Sequence, residues 1–104
     1  QEIMQALPGI RVVVMRMERV PYMDQSGLYA MDDAIRSLRE EGIVVAFSGL
    51  QDQPLLMLER INVIPGLINE SYIFKDFESC LCWLKPYLEQ EKLGDLAEEQ
   101  DRQP

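Results

Sequence analysis

A chain of 104 residues, of which 47% are hydrophobic and 27% charged, has the size and composition of one globular domain. Its net charge of −8 argues against binding to nucleic acid, because 18 Asp and Glu residues outnumber 10 Lys and Arg residues. The chain contains no His, and this removes the commonest general base and the commonest metal ligand, so an enzyme and a metal site are both disfavoured.

The first half of the chain predicts a strand, an amphipathic helix and a second strand. Residues 10–17 (IRVVVMRM) contain four successive apolar residues, which is typical of a strand covered on both faces. From Leu28 to Leu38 apolar residues recur every three or four positions, and Gly42 supplies the left-handed residue that commonly closes a helix. Residues 43–48 (IVVAFS) predict a second buried strand, and the strand–helix–strand order implies that the two strands are parallel.

The second half predicts two more helices and a short strand. Asp52 is expected to cap a helix whose apolar stripe is Leu55, Leu58 and Ile61, and Pro65 with Gly66 is expected to end it. Residues 71–74 predict a third strand, and Asp76 is a natural cap for a last helix in which Pro86 predicts a kink or a break. The apolar residues of that last helix are Phe77, Cys80, Leu81, Leu84 and Leu88.

The C-terminal segment differs in charge from the rest. From Glu89 onward six acids face two bases, which predicts a solvated acidic tail at 89–104 after a domain at 1–88. No apolar run reaches the roughly 18 residues that a membrane-spanning helix needs. Cys80 and Cys82 stand two apart in a predicted helix and cannot form an unstrained disulfide, which favours a reducing compartment.

The segment at 20–28 (VPYMDQSGL) joins the first strand to the first helix, where α/β folds commonly keep their functional loops. Asp24 and Ser26 can each accept hydrogen bonds from the first helical turn, and Gly27 lets another group approach the backbone. An ordinary helix cap is the competing interpretation of Ser26. No second carboxylate is spaced for acid–base work with Asp24, so no catalysis is predicted.

The order of apolar strand, Asp-x-Ser-Gly-Leu, amphipathic helix, Gly, apolar strand, helix, short strand and Phe-x-x-Phe-x-x-Cys-Leu helix resembles the STAS domain, named for sulfate transporters and anti-sigma-factor antagonists. The resemblance runs from about residue 10 to residue 87, and the form VPYMDQSG is more similar to the transporter branch. It implies an α/β fold with a small mixed or parallel sheet and helices mainly on one face. STAS domains normally begin with one or two further strands, which are missing here or lie outside this chain.

The resemblance also implies a function. The chain is expected to be a non-catalytic regulatory domain of a SulP-type transporter of sulfate or another anion, at the cytoplasmic face of the plasma membrane. Its expected partners are the membrane domain of that transporter and cytoplasmic proteins, but not nucleic acid. Ser26 matches the serine that is phosphorylated in the antagonist branch, and the expected partner-binding residues around it are Tyr22, Asp24, Gln25 and Gly27.

Three further expectations follow from the resemblance. The alternative function is a free anti-sigma-factor antagonist that is switched by phosphorylation of Ser26. No metal and no cofactor are expected, apart from weak nucleotide binding near the loop. The sheet edge left open by the absent strands favours a homodimer, because unpaired strand edges invite pairing with another chain.

Overall fold

The computed structural model describes the backbone of residues 11–102 and the side chains of residues 11–89. Strands and helices alternate along the chain, so the predicted α/β class is confirmed. The strands are β1 (Val12–Arg16), β2 (Val44–Ser48) and β3 (Ile73–Phe74), and the helices are α1 (Gln25–Glu40), α2 (Asp52–Arg60) and α3 (Phe77–Arg102). A short 3₁₀ helix, Glu70–Tyr72, leads directly into β3.

The three strands form one parallel sheet in the order β1-β2-β3. In the register of β1 with β2, Val12 lies opposite Val44 and Arg16 lies opposite Ser48. In that of β2 with β3, Ser48 lies opposite Phe74. The prediction that the first two strands are parallel is therefore confirmed. The central strand, β2, has the longest run of buried residues.

One face of the sheet carries the hydrophobic core. Side chains alternate between the faces of a strand, so Val45 and Phe47 of β2 point the same way. Both are buried in a cluster that also contains Ile35 of α1 and Leu58 of α2. Leu58 and Phe47 have no exposed surface. Helices α1 and α2 therefore cover this face together, as their amphipathic spacing predicts.

Helix α3 covers the opposite face. Arg16 and Phe74 lie opposite Ser48 in the sheet, so the three side chains share a face that Val45 and Phe47 do not. The Arg16 guanidinium lies 3.8 Å from the centre of the Phe77 ring. The rings of Phe74 and Trp83 are 5.3 Å apart. Two helices on one face and one on the other agree with the prediction that the helices lie mainly on one face.

The boundaries of α2 differ from the prediction. Gln51 occupies the N-cap position and Asp52 is the first helical residue, so the prediction that Asp52 caps the helix was wrong. The helix ends at Arg60, before residues 65–66. Asn62 adopts a positive φ of 60°, a conformation that Asn tolerates because its short side chain can hydrogen-bond locally. The turn that follows α2 is therefore made by Asn62. In a sequence, Asn indicates a helix end less strongly than the Pro65 and Gly66 on which the prediction relied.

Helix α3 begins as predicted and continues further than predicted. The Asp76 carboxylate accepts a hydrogen bond from the Ser79 amide at 2.8 Å, which is the pattern of an N-cap. The helix runs through Pro86 without a break. Proline removes only one backbone donor, and Pro86 lies on the exposed side of the helix. The backbone from Glu89 to Arg102 is helical too. The division into a domain and an acidic tail at residue 88 stays a prediction.

Candidate functional site

The loop that joins β1 to α1 begins at the carboxyl end of β1 and ends at the first turn of α1. Met23 in this loop is buried and only 6% exposed, whereas its neighbour Tyr22 is 69% exposed. Tyr29, one turn into α1, is 50% exposed, and its hydroxyl accepts a hydrogen bond from Gln25 Nε2 at 3.1 Å. The loop is thus anchored by one apolar side chain and presents two tyrosines outward.

Asp24 caps α1. Its Oδ1 accepts a hydrogen bond from the Gly27 amide at 2.8 Å, and its carbonyl accepts one from the Leu28 amide at 2.9 Å. A Cβ atom at Gly27 would lie only 3.2 Å from Asp24 Oδ1, so the absence of a side chain at Gly27 leaves room for the cap. The helix therefore starts at Gln25, three residues before the apolar stripe that begins at Leu28.

Ser26 is the second residue of α1, and its side chain is exposed. The competing interpretation of Ser26 as the helix cap was wrong, because Asp24 occupies that position. The hydroxyl instead points to the surface of a helix N-terminus, where free amide groups and the helix dipole favour negative charge. A reagent or a protein can reach it without any rearrangement of the core.

The structure brings the predicted site residues Tyr22, Asp24, Gln25, Ser26 and Gly27 together at one end of α1. All five are exposed. Neither the Ser26 hydroxyl nor the Asp24 carboxylate has a neighbouring base in the hydrogen bonds of this loop. This arrangement can make hydrogen bonds and apolar contacts with a docked partner.

Two glutamines at the start of α2, the N-cap residue Gln51 and the helical residue Gln53, hold the loop in place, and sequence reasoning missed both. Gln53 accepts a hydrogen bond from the Met23 amide at 2.8 Å and donates one to the Met23 carbonyl at 3.0 Å. Gln51 Nε2 donates to the Glu18 carbonyl at 2.9 Å. No local pattern reveals these contacts, because they join residues 30 and 33 positions apart. The start of α2 is therefore part of the candidate site.

A second polar cluster, also missed, lies at the carboxyl ends of β1 and β2. Glu18 Oε2 and Ser48 Oγ are both buried, and neither has a partner in hydrogen-bond geometry. Burial raises the pKa of Glu18, but its own backbone amide, the nearby Ser48 hydroxyl and Arg16 more than offset this, so the pKa lies below its usual value. Arg16 Nε is 3.7 Å from Glu18 Oε1. The cluster keeps Glu18 ionised beside the sheet.

Glu18 also influences α3 and the turn after β2. Burial, together with the negative charge of Glu18, raises the pKa of the Cys80 thiol. Gly49 has a positive φ of 67°, and a Cβ at this position would clash with the Glu18 side chain. Gly49 therefore has both a conformational and a steric reason to be glycine.

The outer edge of β1 has no partner strand among residues 11–102, where β1 pairs with β2 alone. A groove of about 870 Å³ runs beside it, between β1 and α1. Its apolar lining includes Val13, Met15, Val20, Ala30, Met31 and Ala34. The prediction that further N-terminal strands are missing concerns residues outside the described range and stays a prediction.

Two absences hold for the part of the chain that the structure describes. None of its helices combines the length and the apolar stretch that crossing a membrane requires. The same residues include no group of three side chains arranged to hold a metal ion.

The family model of the STAS domain matches residues 2–80, which is most of the chain. The chain belongs to the STAS family. Solved structures support this membership. The STAS domain of a SulP transporter from Vibrio cholerae matches with a TM-score of 0.71 and 27% identity. A sulfate transporter family protein from Wolinella succinogenes matches with a TM-score of 0.69 and 29% identity. The recognition of the family from sequence is confirmed.

The match to these two structures is partial in length. The Vibrio domain aligns with 83% of this STAS chain and the Wolinella protein with 76%. The aligned part of the STAS chain covers 65% and 64% of their lengths, respectively, which is less than two-thirds of either. No curated protein matches the chain.

Proposed function

We propose that this STAS domain is a non-catalytic regulatory and interaction module of a SulP-type transporter of sulfate or another anion. The likeness to a SulP transporter STAS domain at 27% identity and a TM-score of 0.71 is the observation that carries the proposal. Transport would belong to the membrane-spanning part of the full-length protein. The domain would lie at the cytoplasmic face of the plasma membrane and contact that part and cytoplasmic proteins.

The loop at the start of α1 is the proposed docking site. Tyr22 is the most exposed large apolar side chain of the described residues, and exposed tyrosines make strong anchors in protein interfaces. Asp24, Gln25 and Ser26 offer polar groups beside it, and Gly27 leaves the backbone accessible. Because Asp24 and Gln53 hold the loop in place, a partner would meet a surface that is already ordered.

Phosphorylation of Ser26 would act on docking and not on folding. A phosphate adds almost two negative charges, and the N-terminus of α1 accommodates negative charge through its free amides and its dipole. At a docking surface, the same charge would attract a basic partner surface and repel an acidic one. We therefore assign Ser26 a regulatory role, with Asp24 as the residue that fixes the helix start beside it.

The proposal includes no catalysis, no metal and no nucleic acid. It is supported by the absence of His and by the net charge of −8. A weakly bound nucleotide near the loop is the one ligand that the proposal includes, since the first turn of α1 can accept an anionic group.

The test uses the full-length protein that contains this chain, reconstituted in vesicles, with uptake of radiolabelled sulfate as the readout. Ser26→Asp and Tyr22→Ala are expected to change the uptake rate about fivefold, which corresponds to the loss of roughly 1 kcal/mol of docking energy. Ser37→Asp is the matched control, because Ser37 is also an exposed serine of α1 but lies near its other end. Uptake that is identical in all variants and the wild type would remove the proposal.

A free anti-sigma-factor antagonist is the second candidate, and the exposure of Ser26 favours it. The two candidates share a fold, so the fold does not separate them. Phosphopeptide analysis of the native protein and the length of its reading frame would do so. Stoichiometric phosphate on Ser26 in a protein without membrane helices would establish the antagonist, whereas membrane helices in the same polypeptide would exclude it.

A further inference from the structure

The N-cap residue and the first turn of α2 together hold both ends of the loop that presents Ser26. Gln51 bonds the carbonyl of Glu18 at the start of the loop, and Gln53 bonds both backbone groups of Met23 near its end. The Gln53 amide thus acts as a neighbouring strand would, since it satisfies a backbone donor and a backbone acceptor of the same residue. Met23 adds a third point of attachment, because its side chain is buried in the core.

We infer that Gln53 is the positioning residue of the docking loop. This inference rests on the proposed docking function of that loop. Met23 stands between Tyr22 and Asp24, so fixing the amide and the carbonyl of Met23 sets the direction in which both neighbours project. Within the loop the Val20 amide donates to the Met17 carbonyl at 3.1 Å, but this bond lies at the other end of the loop from Ser26.

Packing alone does not account for this arrangement. An apolar side chain of the same length would fill the space of Gln53 but would leave the amide and carbonyl of Met23 without partners, which is costly in a half-buried site. A carboxylate at this position would accept from the Met23 amide but repel the Met23 carbonyl oxygen. Only a primary amide makes both bonds at once, and this is the chemical reason for glutamine at position 53.

The consequence is that α2 and the loop form one docking unit. A partner that engages Tyr22 or Ser26 is also sensitive to the position of the α2 N-terminus, and a displacement of α2 changes the orientation of the loop. Gln53 does not need to touch the partner for this effect, since it acts through Met23.

The first test measures the loop itself by amide hydrogen exchange of the ¹⁵N-labelled 104-residue chain. Gln53→Met is expected to lower the protection of the Met23 amide about tenfold and to leave the amides of β2 unchanged, because the loss is local. Gln51→Met is the matched control: it is the same substitution two residues away and removes only the bond to Glu18. Unchanged protection of the Met23 amide in Gln53→Met would overturn the positioning role.

The second test uses the sulfate uptake assay on the full-length protein. Gln53→Met is expected to reproduce the effect of Tyr22→Ala, and Gln51→Met is expected to have a smaller effect. If Tyr22→Ala changes uptake and Gln53→Met does not, the positioning role is overturned and the docking function stands. If neither changes uptake, the docking function fails, and the inference fails with it. Should Gln53→Met not fold, Gln53→Glu replaces it, because it keeps the acceptor for the Met23 amide.

Discussion

Removing the cap of α1 is the sharpest test of how this site is built. Asp24→Ala deletes the carboxylate that accepts the Gly27 amide at 2.8 Å, and the loss of such a cap costs about 1 kcal/mol. The first turn of α1 itself contains no acid, so the substitution also removes the negative charge that Asp24 places beside that helix N-terminus. This second effect is worth about 0.3–1 kcal/mol. The free energy of unfolding should therefore fall by about 1–2 kcal/mol.

Urea unfolding measures this loss, with far-UV circular dichroism and the fluorescence of Trp83, the only tryptophan, as probes. Each kcal/mol corresponds to a decrease in Tm of about 4–8 °C for a domain of this size. Asp24→Asn keeps the acceptor and should lose only the charge effect. Ser26→Ala should cost less than about 0.5 kcal/mol, because Ser26 is exposed and does not cap the helix. A Ser26→Ala variant as unstable as Asp24→Ala would refute the assignment of the cap.

Three other predictions follow from the contacts of α3 and β1. Cys82 should react rapidly with a thiol reagent while Cys80 reacts only on unfolding, because Cys80 is buried and its thiol pKa is raised; equal rates would contradict this. The Ser79 amide and hydroxyl lower the pKa of Asp76, so its contribution to stability is complete at neutral pH and is lost as the pH falls below about 4. Asp76→Asn should flatten that decline in a series of unfolding curves, and an unchanged acid dependence would count against it. The edge of β1 that has no partner strand among residues 11–102 should let the chain dimerise. Val14→Lys should then shift sedimentation velocity profiles towards the monomer, since a charge on an edge strand opposes pairing, and a monomeric wild type would contradict the homodimer.

The order of the elements could be predicted because each has a local signal. The β-branched run at 12–14 and the apolar residues of β2 are typical of buried parallel strands, and the three- and four-residue spacing from Leu28 predicts a helix. Asp76 was predicted as a cap, and Asp24 was one of two candidates beside Ser26, because a short polar side chain before an apolar stripe is a local arrangement. The same rule failed at Asp52, where Gln51 occupies the N-cap position and its side chain makes no capping hydrogen bond to the helix.

Helix ends were harder to predict than helix existence. Pro86 predicted a kink or a break, and the helix does not break there although the backbone of the exposed Pro86 has no hydrogen-bond donor. The third strand was predicted at 71–74, yet it contains only Ile73 and Phe74, because the Asn69 side chain bonds the Ser71 amide and a 3₁₀ turn forms first. A local hydrogen bond decides the outcome at Ser71, whereas at Pro86 the helix continues although one such bond is lost.

The amino-acid sequence by itself determined the alternation of strands and helices, the family and the position of the loop at the start of α1, because these depend on neighbours within one or two helical turns. Tertiary structure alone decided that Gln53 holds Met23, that Glu18 lies beside Ser48 and that Trp83 packs against Tyr72 and Phe74. The Gln53 and Glu18 contacts join residues about 30 positions apart, which meet only after α1 and α2 have packed on the sheet. The periodicity of apolar residues along the chain cannot predict such long-range contacts.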